Sequence, residues 1–223
     1  MSADGLTTVA LVGGTGPLGR GLAARWAAAG VRVWLGSRDP GRAEKSAAEV
    51  AGSLPPLAAP ILGVGNQEAV DAAELVVLAI PYDALTSQLA GLRGVGEGRV
   101  VVSTAVPMEF RDGVPMAIHP PAGSAAEMVQ SMWPATRVVG ALHTVAAGQL
   151  LRLDRRLDED VLISGDDPGA RDQVSALVAR IAGLRPVVAG ALATAGACEG
   201  ITPLLLSLNR LHRARTGIRI TGL

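Results

Sequence analysis

Short β-branched runs alternate along the first two thirds of the chain with alanine-rich stretches whose apolar positions recur at helical spacing. The runs at residues 8–12 (TVALV), 31–36 (VRVWLG), 60–65 (PILGVG), 74–80 (ELVVLAI), 98–104 (GRVVVST) and 136–142 (TRVVGAL) predict six strands, the third of them weak. Between them the pattern predicts a helix over 18–29 that stops at Gly30. Another opens with Asp39 as N-cap and Pro40 in its first position, and runs to Val50. A short helix covers 66–73, and Ser124 with Glu127 has the form of a capping box opening one more. Strands that are apolar throughout need cover on both faces, which intervening helices supply through right-handed crossovers. The predicted fold is an α/β, doubly wound parallel sheet of the Rossmann dinucleotide-binding type, with its ligand at the carboxyl ends of the strands.

After about Gly148 the texture changes. LLRLDRRLDED is charged and reads as a surface connection. A strand at 161–165, a helix over 168–182, a strand at 184–190 and a long helix from about 194 to 213 then form a smaller lobe. The expected division is a nucleotide-binding domain over 1–148 and a small C-terminal α/β lobe over 149–223.

Composition narrows the function. Hydrophobic residues make up 49% and aromatics only 2%, so the core is aliphatic. Lys+Arg and Asp+Glu are both 20, a balance without the basic footprint that binding nucleic acid requires. The basic residues are almost all arginine, with Lys45 the only lysine. The single cysteine, Cys198, allows no intrachain disulfide, fits a reducing compartment and reads as buried filler. The opening residues show no leader pattern, and the run LVVLAIP at 75–81 is too short to span a bilayer. A cytoplasmic protein with no membrane partner is expected.

Gly14, Gly16 and Gly19 fit G-x-G-x-x-G between a predicted strand and a predicted helix, the context that gives the spacing physical meaning. Gly14 allows the tight turn, Gly16 lets backbone approach a pyrophosphate, and Gly19 allows close helix–strand packing. Pro17 removes one N–H but suits a first helical turn. Where an NAD site closes its second strand with a carboxylate for the ribose 2′-hydroxyl, this chain has Gly36, Ser37 and Arg38. A hydroxyl beside a guanidinium suits a dianionic 2′-phosphate, and Arg42 lies one helical turn further on. The arrangement favours NADP over NAD, with Asp39 leaving an NAD reading open.

The segments VALVGGTGPLGRGLA, GSRDPGRAEKSAAE, LAIPYDA, VVSTAVP, GSAAEMV, ALHTVAA, SGDD, GLRPVVAG and ITPLLLSLNR, in this order, resemble the F420-dependent NADP reductase family. The resemblance covers nearly the whole chain. It implies hydride transfer between NADP(H) and the 5-deazaflavin coenzyme F420, and a homo-oligomer, expected to be a dimer. It implies pyrophosphate contacts at Thr15, Gly16, Pro17 and Leu18, and 2′-phosphate contacts at Ser37, Arg38 and Arg42. Ile80, Tyr82 and Val106 would close over the ribose and nicotinamide, and Ala147 would pack against the nicotinamide. His143, Thr216 and Gly217 would line the deazaflavin side. Two positions depart from the family pattern: a common proline is Ala146 here, and the usually apolar position aligned with Thr216 is polar.

Hydride transfer between two cofactor rings needs proximity and orientation more than side-chain chemistry. The chain has no Ser/His/Asp set, HExxH or cysteine cluster. His143 is the ionisable residue that the resemblance places beside the rings, although a strand-end histidine serves equally as a structural donor. His119 and His212 read as surface residues. Two alternatives compete: an NADP-dependent reductase of an imine or keto acid, which needs a proton donor in the cleft, and a non-catalytic NADP-binding redox sensor.

Overall fold

Every strand expected in the first two thirds forms, in an order that leaves a crevice at its middle. The computed structural model describes residues 8–223 except 94 and 97; residues 1–7, part of the stretch in which no leader pattern was found, lie outside the described residues. The strands are β1 (Thr8–Val12), β2 (Arg32–Ser37), β3 (Ile61–Gly65), β4 (Leu75–Leu78), β5 (Val100–Ser103), β6 (Met108–Arg111), β7 (Val114–Ala117), β8 (Arg137–Gly140), β9 (Glu159–Gly165) and β10 (Leu184–Gly190). Eight of them make one sheet in the order β10-β9-β8-β5-β4-β1-β2-β3. From β3 to β8 all pairs are parallel, and β1 lies between β2 and β4, where the direction of winding reverses. That reversal opens a crevice at the carboxyl ends, as a Rossmann sheet requires.

The helices are α1 (Pro17–Ala28), α2 (Pro40–Ala51), α3 (Asn66–Ala72), α4 (Tyr82–Ala90), α5 (Ala125–Met132), α6 (Ala147–Leu150), α7 (Pro168–Ala179), α8 (Ala195–Glu199) and α9 (Ile201–His212). Asp39 caps α2 by accepting from the Arg42 N–H, as its spacing predicts. Ser124 accepts from the Glu127 N–H at α5, but Glu127 accepts from the Ser124 hydroxyl, so only half of the expected capping box forms.

Four elements depart from the expectation. β9 runs antiparallel to β8, so the sheet is not wholly parallel. The connection between them holds only the one-turn α6, too little for a crossover back to the other end of the sheet. The helix expected over 194–213 breaks into α8 and α9 at Gly200, because Pro203 has no N–H to give the Glu199 carbonyl and its ring crowds that turn. The helix expected to reach 182 ends at Ala179. Either side of the expected fifth strand, where no element was assigned, the chain forms α4 and the β6–β7 hairpin, whose turn is Asp112-Gly113 with both φ values positive. Asp-Gly is a strong hairpin signal, masked here by the polar and proline residues of the short strands.

The segment after 148 is tied firmly to the rest. Arg25, buried in α1, donates to the carbonyls of Leu150, Gln149, Arg152 and Arg155 and so satisfies the end of α6 and the charged connection. Trp26 donates its indole N–H to the Leu177 carbonyl of α7. One aliphatic core runs from Val9 and Leu22 through Val139 to Ile163 and Leu177, so neither sheet nor core breaks at 148.

Candidate active site

The three glycines of the β1–α1 turn have different work. A Cβ at Gly14 would lie 2.9 Å from Leu35 Cγ, and one at Gly19 would lie 2.5 Å from Gly14 Cα. Both are packing positions that let α1 approach the strands. A Cβ at Gly16 would meet nothing nearer than the Gly13 carbonyl oxygen, 3.8 Å away. Gly16 is the N-cap of α1, no side chain caps that helix, and its first turn holds no acidic residue. The free N–H groups and the positive helix end therefore face open space suited to an anion.

At the end of β2 the position of the NAD-type carboxylate is closed. A Cβ at Gly36 would stand 2.8 Å from Asn66 Oδ1, which accepts a hydrogen bond from the Gly13 N–H. Asn66, at the start of α3, is thus a supporting residue of the turn that the sequence reading took only as a helix start; its nearness to β2 exists only in the fold. Ser37 is buried, and its hydroxyl accepts from the Asp39 N–H. Arg38 and Arg42 are exposed and enter no ion pair among the described residues. Asp39 is engaged as the α2 cap. Two unpaired guanidiniums beside a hydroxyl make a cationic corner.

These residues border one cleft of about 730 Å³. It gathers Thr15, Gly16, Pro17, Leu18, Ser37, Arg38, Arg42, Ile80, Tyr82, Val106 and His143, with Thr104, Met108 and Thr202 among the additional lining. Gly14 and Gly19 lie beneath it. Ala147 does not line it: it opens α6, where its carbonyl faces Gly21 of α1. Thr216 does not line it either; its hydroxyl and N–H donate to Asn209 in the last turn of α9. Gly217 lies against Glu159 at the start of β9. Lys45 is exposed on α2, outside the cleft, and His119 and His212 are at the surface. Cys198 is buried against the Ser164 hydroxyl.

His143 follows Leu142, a buried leucine held at φ 66°, a left-handed conformation that is costly for such a side chain and aims the next residue. The Thr202 hydroxyl donates to the His143 carbonyl and ties α9 to this turn. Burial pushes the imidazole down to about 4, against the opposing pull of the Ser103 backbone, so the ring is neutral at neutral pH. Its Nε2 is buried without a hydrogen-bond partner among the described residues and lies 4.0 Å from Glu199 Oε1. Glu199 also escaped the sequence reading. The signal was available: it is the one charged residue between Arg185 and Arg210. Among the described residues no His/Cys/Asp/Glu cluster could hold a metal, and no helix is long and apolar enough to cross a membrane.

Residues 8–107 match the family model of NADP oxidoreductases, coenzyme F420-dependent. The F420-dependent NADP reductase of Methanocaldococcus jannaschii is 36% identical over 96% of this chain and 98% of its own length. A solved structure from Arthrobacter sp. FB24, provisionally assigned to the same activity, superposes with a TM-score of 0.79, covering 97% of this chain and all of that one at 26% identity. An imine reductase of Streptomyces aurantiacus superposes more loosely, with a TM-score of 0.55 over 92% of this chain and 60% of that one. With the cationic corner at one end of the cleft and 36% identity to F420-dependent NADP reductases over 96% of its length, the chain belongs to the F420-dependent NADP reductase family.

Proposed function

We propose that the protein transfers a hydride between NADP(H) and the 5-deazaflavin coenzyme F420, and that the cleft beneath Gly16 and Arg38 is where the two meet. Family membership supports the reaction. The observation that supports the placement is the closed carboxylate position at Gly36 beside the free guanidiniums of Arg38 and Arg42. On this reading the pyrophosphate lies on the α1 N-terminus, Ser37, Arg38 and Arg42 take the 2′-phosphate, and Ile80, Tyr82 and Val106 flank the ribose and nicotinamide. The protein's contribution is to hold donor and acceptor carbons at about 3–3.5 Å and to exclude water. Residues 149–223 complete the far side through Thr202 and the His143 turn. Ala147 and Thr216 stand outside the lining, so their contacts with the rings enter through the resemblance alone.

We further infer a homodimer acting in the cytoplasm. Exposed Phe110 and Val114 of the hairpin, next to exposed Leu204 and Leu211 of α9, support an apolar face that a second copy would cover. Hydrogen exchange with and without NADP⁺ tests the placement of the site. Protection is expected at residues 13–19 and 37–42, with none at the pocket bordered by Arg156 and Arg185 at the sheet's edge. Protection confined to that edge would overturn it.

A further inference from the structure

Reduction of a deazaflavin by NADPH consumes a proton. The nicotinamide C4–H bond breaks with its electron pair, the hydride adds to the deazaflavin carbon, and a ring nitrogen of the acceptor gains H⁺. A cleft filled by two cofactors keeps bulk water out, so that proton needs another route.

The back wall of the cleft offers one. His143 lines the cleft, and behind it lies a second cavity of about 310 Å³, bordered by Pro107, Ile118, His119, Gly196 and Glu199. His143 borders the first space and Glu199 the second; the two side chains are each 2% exposed, with Nε2 and Oε1 4.0 Å apart. Glu199 is fixed from the other side: Oε2 accepts from the Ala125 N–H at 2.9 Å and Oε1 from the Ala126 N–H at 3.1 Å. A fixed carboxyl facing a buried, unpartnered imidazole nitrogen is the arrangement of a donor and its acceptor. We propose that Glu199 and His143 form a proton relay between the rear cavity and the cleft, supplying the proton that accompanies hydride transfer.

This rests on the reaction proposed above. In the relay, the Glu199 carboxyl gives its proton to Nε2 of the neutral ring as the other ring nitrogen gives up its own toward the cleft, and solvent in the rear cavity reprotonates the carboxylate. Oxidation of the reduced deazaflavin runs the same steps backwards. Burial pushes the Glu199 carboxyl up to about 7, with the Ala125 and Ala126 amides opposing and Glu127 adding to the rise. The titratable groups facing it are thus Glu127 from α5, His143 from the turn after β8, His119 across the rear cavity and its own neighbour Cys198. A carboxyl that titrates near 7 can give and take protons at neutral pH.

The test is Glu199→Gln, which keeps an acceptor for one of the two α5 amides but carries no exchangeable acid. In the wild type, kcat for deazaflavin reduction should fall as pH rises through about 7, and kcat for the reverse reaction should rise over the same range. The substitution should flatten both profiles and lower kcat on the order of 10²-fold, with KM for NADPH unchanged. In cofactor-free wild type, infrared spectra should show a protonated carboxyl at pH 5 that ionises near 7 and is missing from the variant. A folded variant with the wild-type pH profile overturns the relay. Should the substitution unfold the chain, the wild-type carboxyl decides alone: one already ionised at pH 5 overturns the proposal, and one whose titration is displaced in His143→Asn supports it. A wild type that passes no electrons from NADPH to the deazaflavin overturns the reaction itself, a different failure.

Discussion

Gly16→Val should leave a folded protein that binds no dinucleotide. Gly16 sits at φ −74° and ψ 168°, extended backbone open to any residue, and its added Cβ would have only the Gly13 carbonyl oxygen within reach, at 3.8 Å. Among the described residues no other heavy atom comes within 4 Å of that Cβ. The two branches of valine would instead stand in front of the α1 N-terminus, where the pyrophosphate needs direct contact with backbone N–H groups. Hydrogen bonds to a charged group contribute about 1.5–3 kcal/mol each, so excluding the phosphate should cost at least about a hundredfold in affinity for NADP and NAD alike. Gly19→Val is the contrasting case. Its Cβ would press on Gly14 Cα from 2.5 Å, and the melting temperature should fall instead. Titration beside a thermal melt distinguishes the two. A Gly16→Val protein that still binds NADP would mean the turn is structural only.

Arg38→Ala should separate the two dinucleotides. The guanidinium is exposed, pairs with no acid among the described residues and contributes nothing to the core. Its removal should cost NADP about 1.5–3 kcal/mol, or about 10- to 150-fold in Kd, and leave NAD binding nearly unchanged. Arg42 stays to hold part of the phosphate's charge, so Arg38→Ala with Arg42→Ala should lose more than either alone. Equal losses for NADP and NAD would show that the corner serves the fold or the adenine and not the phosphate. A gain for NAD is not expected from either change, because a carboxylate at position 36 would collide with Asn66.

The strand–turn–helix frame was legible in the sequence because its rules are local. TVALV, the glycine spacing and Asp39-Pro40 each specify their own backbone, and β1, α1 and α2 form within a residue or two of the expectation. The cationic corner was legible for the same reason: Ser37, Arg38 and Arg42 are neighbours along the chain. What the sequence hid depends on distant partners. Asn66 reaches Gly13 across 53 positions, and Glu199 reaches Ala125 across 74. Arg25 reads as one more surface arginine until its guanidinium is seen among four carbonyls contributed by residues 149–155. The antiparallel entry of β9 was hidden too, since an apolar strand reads alike in either direction and only the shortness of α6 rules out a crossover.

The central claim is electron transfer from NADPH to the deazaflavin, and one mixture tests it. Purified protein is added to NADPH and oxidised F420, and the visible absorbance of the deazaflavin is followed beside the same mixture with NADH. The account predicts that the band bleaches with NADPH as NADPH is consumed in equal amount, and bleaches far more slowly with NADH. A band that persists with NADPH, from a protein that binds both cofactors, would contradict it.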